Sequence, residues 1–219
     1  MLKQSLESIV SDVRVCIDEN ASNESQFLFG SDDTELDTII KSKVEDAIRY
    51  ALRNANLSFL EPTVQDYKVD IVGEGVKYAR ITLEETFLRF VSVKSEGWAH
   101  HVSEPILSTE RAYASLKNPI TTGYLDNPKA AIILDGGKKL LELYGMPQKN
   151  GDNQIVKVTL SYISDVHIGE PDETTGKVYC DIPNKVYRGV IYYTAGATLQ
   201  AFKDAHGDVL ISQATQMIQ

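Results

Sequence analysis

Residues 31–56 read SDDTELDTIIKSKVEDAIRYALRNAN. Leu36, Ile39, Ile40, Val44, Ala47, Ile48, Ala51, Leu52 and Ala55 recur at spacings of three and four, which places them on one side of a 3.6-residue helix. Asp37, Lys41, Glu45, Arg49 and Arg53 take the other side. Asp32 can cap the first turn, with Glu35 three positions on as in a capping box. Asp33, Glu35 and Asp37 near the start and Arg49 and Arg53 near the end oppose the helix dipole favourably. The stretch therefore predicts one long helix with a buried face. It specifies architecture and carries no chemistry.

Upstream, Leu2, Leu6, Ile9, Val10, Val13 and Ile17 predict a first helix over residues 2–19. A polar loop at 20–25 and the apolar patch Phe27-Leu28-Phe29 follow, the patch reading either as a staple on the main helix or as an exposed plug for a partner. Downstream the period changes. Pro62 stops the helix, and strands are expected at 67–72, 77–83 and 86–94, with Ala79, Ile81 and Leu83 facing inward. A short helix capped by Ser108 is expected at 109–117, ended by Asn118-Pro119. Ala130 to Leu134 and Leu140 to Tyr144 flank Asp135-Gly136-Gly137-Lys138, and the paired glycines supply the positive φ of a tight hairpin. Because both hairpin strands are apolar on both faces, the hairpin should be covered on both sides. Further strands are expected at 154–163 and 177–182. Helices are expected from Pro183 to about Lys203, on a stripe of Val186, Val190, Tyr193, Ala197 and Phe202, and from Asp208 to Ile218, on Val209, Leu210, Ala214 and Met217.

The order is helices, strands, helices. It predicts an α+β fold with N-terminal helices, a central, mainly antiparallel sheet containing the hairpin, and C-terminal helices. The length fits a single domain over 1–219, made of a helical part (1–57), a strand-rich part (58–182) and the last helices (183–219). The two cysteines, Cys16 and Cys180, fall in a helix pattern and a strand pattern and read as unpaired buried thiols. No run of about eighteen apolar residues is present, so no membrane span is expected. A formal net charge of -9 and a pI near 5.0 argue against a protein that coats nucleic acid.

No motif for covalent, phosphate or metal chemistry is legible. His100 and His101 are adjacent and would point to opposite faces of a strand. No Cys-x-x-Cys or His-x-x-x-His spacing occurs. Asp135-Gly136-Gly137-Lys138 lacks the spacing of a phosphate loop and precedes a strand. No catalytic, cofactor-binding or metal-ligating residue is therefore expected, and the chain reads as a non-enzyme. Trp98, the only tryptophan, reads equally as an interface anchor or as a plug closing the sheet.

Phe87-Leu88-Arg89-Phe90-Val91-Ser92-Val93-Lys94 followed by Trp98, then Ser103-Glu104-Pro105, Asn118-Pro119, Asn127-Pro128-Lys129 and the ending Tyr192-Tyr193-Thr194-Ala195-Gly196-Ala197-Thr198-Leu199 form a pattern. It resembles virion proteins of crAss-like bacteriophages over roughly residues 85–215, and departs from them at His100-His101, where a basic residue is expected. The resemblance implies a structural protein of the head-to-tail connector, or neck, made in the host cytoplasm and located in the virion. It implies a homo-oligomeric, twelve-fold ring contacting the portal and other neck or tail proteins, with DNA passing through without specific binding. Another tail or virion component is the alternative; a small intracellular enzyme or binding module is a further one. With that resemblance in view, the loops with apolar tips, Phe27, Leu28, Phe29, Trp98, Thr121, Thr122, Tyr124 and Leu125, are the candidate subunit contacts.

Overall fold

The computed structural model describes residues 2–20, 34–147, 155–165, 168–169 and 171–219. The chain divides into two compact units, one built from the two ends (1–61 and 165–219) and one from the middle (62–164). The class is α+β, as the order of patterns predicts.

In the terminal unit the chain opens with strand β1 (Leu2–Ser5), which pairs antiparallel with β9 (Tyr179–Ile182), Leu2 opposite Ile182 and Ser5 opposite Tyr179. This corrects the expectation of helix from residue 2. Helix α1 (Leu6–Asn20) starts only where that pairing stops, and buries Ile9, Val10, Val13, Cys16 and Ile17. Helix α2 (Thr34–Asn54) buries the predicted face from Leu36 to Leu52, with Ile39 at its half-buried margin. The capping residue Asp32 lies outside the described residues. Arg14 holds Asp37 at 2.7 Å, tying α1 to α2. Arg49 on α2 reaches Asp165 at 3.0 Å and Glu45 at 2.8 Å.

A 3-10 turn (Asn184–Val186) leads into helix α4 (Tyr187–Ala201), and α5 (His206–Ile218) closes the chain. Helix α4 packs against α1, α2 and α5. It buries Gly189, Val190, Ile191, Thr194, Ala195, Gly196, Thr198 and Leu199, more than the single stripe expected. The small residues permit this. A Cβ on Gly196 would lie 2.6 Å from the Gly207 carbonyl oxygen, and one on Gly207 would lie 2.7 Å from that of Gly196, so the backbones of α4 and α5 touch. This contact turns Gly207, Leu210, Ala214 and Ile218 of α5 inward, and leaves the predicted Val209 and Met217 exposed. Tyr50 of α2 stacks on Tyr193 at 4.4 Å and shares a 2.8 Å hydrogen bond with Thr215.

The middle unit is a sheet in the order β4-β8-β2-β3-β7-β6-β5. The strands are β2 (Thr63–Val72), β3 (Tyr78–Thr82), β4 (Phe87–Ser95), β5 (Ile106–Leu107), β6 (Lys129–Asp135), β7 (Lys138–Tyr144) and β8 (Ile155–Ser164). All pairs are antiparallel except β5 with β6. Alternation along β3 and β8 sends Ala79, Ile81, Val156, Val158, Leu160 and Tyr162 into one core with Leu141, Leu143 and Val93. The hairpin turns where the glycines dictate: Asp135 pairs Lys138, and Gly136 and Gly137 take φ of 57° and 81°. Its second face is covered too, by Leu116, Tyr113 and Ile106 packed on Ala131 and Tyr144. Tyr113 and Leu116 come from a short helix α3 (Arg111–Ser115) and its C-terminal cap, and Ile106 from β5. Glu110 rather than Ser108 stands at its start, accepting a hydrogen bond from the Leu107 N–H at 3.1 Å.

Cys16 and Cys180 are both buried and free, as read from the sequence. Among the described residues no helix is long and apolar enough to cross a membrane.

Candidate functional site

The residues between α3 and β6 build a loop that is ordered by its own polar groups. Asn118 starts it. Its side-chain oxygen accepts from the Ile120 N–H at 2.9 Å, and its carbonyl accepts from Thr121 and Thr122 at 3.1 and 2.9 Å. The Thr121 hydroxyl donates to Ser115 at 2.6 Å, and the Lys129 ammonium donates to the Thr121 carbonyl at 3.0 Å. The Tyr124 hydroxyl folds back to the Ile120 carbonyl at 3.0 Å, while Tyr124 and Asn127 exchange two backbone bonds of 3.0 Å. Gly123 is required, since a Cβ there would sit 2.9 Å from the Lys129 nitrogen and 3.0 Å from the Tyr144 oxygen. Held this way, the loop leaves Ile120 80% exposed, Tyr124 52% and Leu125 39%.

Beside it is an open cavity of about 510 Å³. Pro119 and Thr122 to Asp126 form one wall, Gly75, Val76 and Lys77 another, and Gly145 and Met146 complete the lining. The Thr122 hydroxyl oxygen is buried and has no hydrogen-bond partner among the described residues. Lys77 and Asp126 are exposed, and neither has an ion-pair partner among those residues.

The structure thus gathers Thr121, Thr122, Tyr124 and Leu125 into one surface feature, and adds Ile120, which the sequence reading passed over. Phe27, Leu28 and Phe29 lie outside the described residues. Trp98 is not a surface anchor. It is 4% exposed within the main core, and its indole N–H donates to the Gly145 carbonyl at 2.9 Å, so of its two readings the plug is the one observed. It still supports the surface from below, because the next residue, Ala99, donates its N–H to the Leu125 carbonyl at 2.9 Å.

A second constellation was not legible as chemistry. Glu142 is fully buried and accepts from Tyr144 at 2.6 Å, Arg80 at 2.8 and 3.0 Å, Tyr113 at 2.9 Å and Lys117 at 3.2 Å. Arg80 faces it directly across β3 and β7. Burial alone would raise the Glu142 carboxyl, but the donated hydrogen bonds outweigh it and hold it below the usual carboxylate range. Burial and the neighbouring carboxylate push the Tyr144 phenol far up. Burial pulls the Lys117 ammonium down, yet bonds to Tyr113 and Glu142 leave it raised. Near neutral pH the carboxylate stays charged and saturated with donors, while the phenol and the ammonium keep their protons. The cluster is built to fasten α3 onto the sheet rather than to move a proton.

Among the described residues no group of three or more His, Cys, Asp or Glu side chains is placed to hold a metal ion, and His100 and His101 are exposed. No protein-family model matches the chain, and no curated protein matches it either.

Proposed function

We propose that the chain is a structural subunit of a bacteriophage particle, assembled as a ring in the neck that joins portal to tail and lets DNA pass without specific binding. The observation that carries this reading is the sequence pattern over residues 85–215, which resembles virion proteins of crAss-like phages. The loop 118–127, held by its own hydrogen bonds, is compatible with it. A contact loop whose backbone is ordered before the partner arrives avoids an ordering cost that would subtract from affinity.

The test is direct. Purified particles of a phage that encodes this chain are digested and analysed by mass spectrometry, and their necks are imaged by electron cryomicroscopy. The expected result is the protein in stoichiometric amounts, with density at the portal–tail junction that fits the β4-β8-β2-β3-β7-β6-β5 sheet. Density in the tail shaft or fibres would favour the other virion component. Absence of the protein from particles would sink the structural reading altogether.

A further inference from the structure

The face made by loop 118–127 and its cavity has three properties that together select an occupant. It is apolar at its tip, where Ile120, Tyr124 and Leu125 are exposed on a loop whose backbone is fixed by hydrogen bonds. It is concave beside that tip, with a volume of about 510 Å³. It also carries two charges of opposite sign on one cavity that have no ion-pair partner among the described residues, Lys77 on the wall that follows β2 and Asp126 on the loop wall.

The charges discriminate. A polyanion attracted to Lys77 is repelled by Asp126, and an extended basic or acidic segment satisfies one and opposes the other. A second copy of the same chain brings one Asp126 for each Lys77 and one Lys77 for each Asp126. The unit that carries the face adds no net repulsion, because residues 62–164 contain 12 Lys and Arg against 12 Asp and Glu. We infer that this face is a self-association surface, in which Lys77 of one copy pairs with Asp126 of another around an apolar contact made by Ile120, Tyr124 and Leu125.

As the device that joins neighbouring subunits of a ring, the contact rests on the reading above; as a contact between copies, it is tested without a virion. Both geometries satisfy every charge. An isologous pair exchanges two Lys77–Asp126 contacts across a two-fold axis, whereas in a closed ring each subunit gives Lys77 to one neighbour and Asp126 to the other.

The experiment is sedimentation velocity of the full-length chain over a concentration series, with Trp98 fluorescence to confirm that each variant is folded. The wild type should associate. Ile120→Asp should abolish association, and Lys77→Glu or Asp126→Lys alone should weaken it by about tenfold or more, since like charges then face each other. The double variant Lys77→Glu/Asp126→Lys should recover affinity to within a few-fold of wild type. Recovery with a dimer as end state upholds the contact and counts against this face closing a ring; recovery with a larger closed species upholds both. Three results overturn the inference: a monomer at every concentration, association indifferent to Ile120→Asp, or a double reversal no better than the singles. The last would assign the face to an unlike partner.

Discussion

Replacing Glu142 with Gln tests whether the buried carboxylate fastens α3 to the sheet. The substitution keeps the shape and one acceptor oxygen, and exchanges the other oxygen for a donor that faces Tyr113, Lys117 and Tyr144 donors. Breaking a fully buried ion pair costs about 3–5 kcal/mol. Here the partners are not fully buried, the side chains of Arg80 and Lys117 being 41% and 46% exposed. They regain water when released, which removes much of that penalty. The cost that remains is the misplaced hydroxyl donors, above all Tyr144, which is fully buried; leaving such a group unsatisfied costs about 1–3 kcal/mol. A loss of about 2 kcal/mol is expected. Urea unfolding followed by fluorescence measures it in the right place, because the only tryptophan, Trp98, belongs to the same unit. A loss below about 0.5 kcal/mol would refute the reasoning.

The same variant has a pH signature. The folded-state pKa of Glu142 is depressed, so the stability it contributes is present above its unfolded value, about 4.3, and is lost as pH falls through the lower folded value. The gap between wild type and Glu142→Gln should be full at neutral pH and should close in strongly acidic solution. An equal gap at both ends would show that the carboxylate's charge is not what the site uses.

Three further outcomes follow from the packing. Trp98→Ala should cost about 3–5 kcal/mol, as truncation of a buried aromatic does, and should show as early loss of sheet structure in circular dichroism; an unchanged urea midpoint would return Trp98 to the surface. Gly196→Val should destabilise the terminal unit, because even a Cβ would lie 2.6 Å from the Gly207 oxygen; a midpoint equal to wild type would mean that α4 and α5 are not in backbone contact. Burial pushes both thiols up to about 11, so Cys16 and Cys180 should resist a thiol reagent at pH 8 while the protein is folded and react on unfolding. A Cys16–Cys180 link in unreduced protein, seen by mass spectrometry, would contradict the two separate burials.

What the sequence makes legible is whatever one short stretch decides for itself. Gly136 and Gly137 determine a turn without help from elsewhere, and the alternation of Ala79, Ile81 and Leu83 determines which way β3 faces. What it hides is set by distant partners. Leu2 and Leu6 mimic a helical step, yet residues 2–5 form a strand because 179–182 lies beside them. Helix α4 is buried on several sides and so has no stripe to find. The face of α5 follows from where Gly196 and Gly207 meet, not from its own periodicity. The Glu142 cluster left one local trace, a charged residue inside the apolar run Leu140-Leu141-Glu142-Leu143-Tyr144. A carboxylate in such a run must be paired if it is buried. Its partners Arg80, Tyr113 and Lys117, however, are assembled only by β3 and α3. The surface loop was partly visible through Tyr124 and Leu125. Its strongest exposed group, Ile120, was masked by the turn residues around it.

The fold also redistributes the charge that composition reports as a single number. With residues 62–164 balanced at 12 of each sign, the remaining 10 Lys and Arg against 19 Asp and Glu place the whole net charge of -9 in the unit made from the chain ends. Copies that approach through that unit repel, over a range limited to about 8 Å at physiological ionic strength. Copies that approach through the neutral sheet unit meet only short-range terms, and there opposite charges and exposed apolar side chains stand together. Duplex DNA is expected to gain from neither unit. The acidic unit repels phosphate, and in the sheet unit several cations are already committed, Arg80 and Lys117 to Glu142 and Lys157 to Asp66 at 2.8 Å. Binding a duplex through released counterions needs several free basic side chains on one face. The poor affinity for DNA expected of this chain and the proposed contact between copies therefore rest on a common origin: the acidic excess is confined to one unit, and the other is balanced in charge, with Arg80, Lys117 and Lys157 held by its own carboxylates.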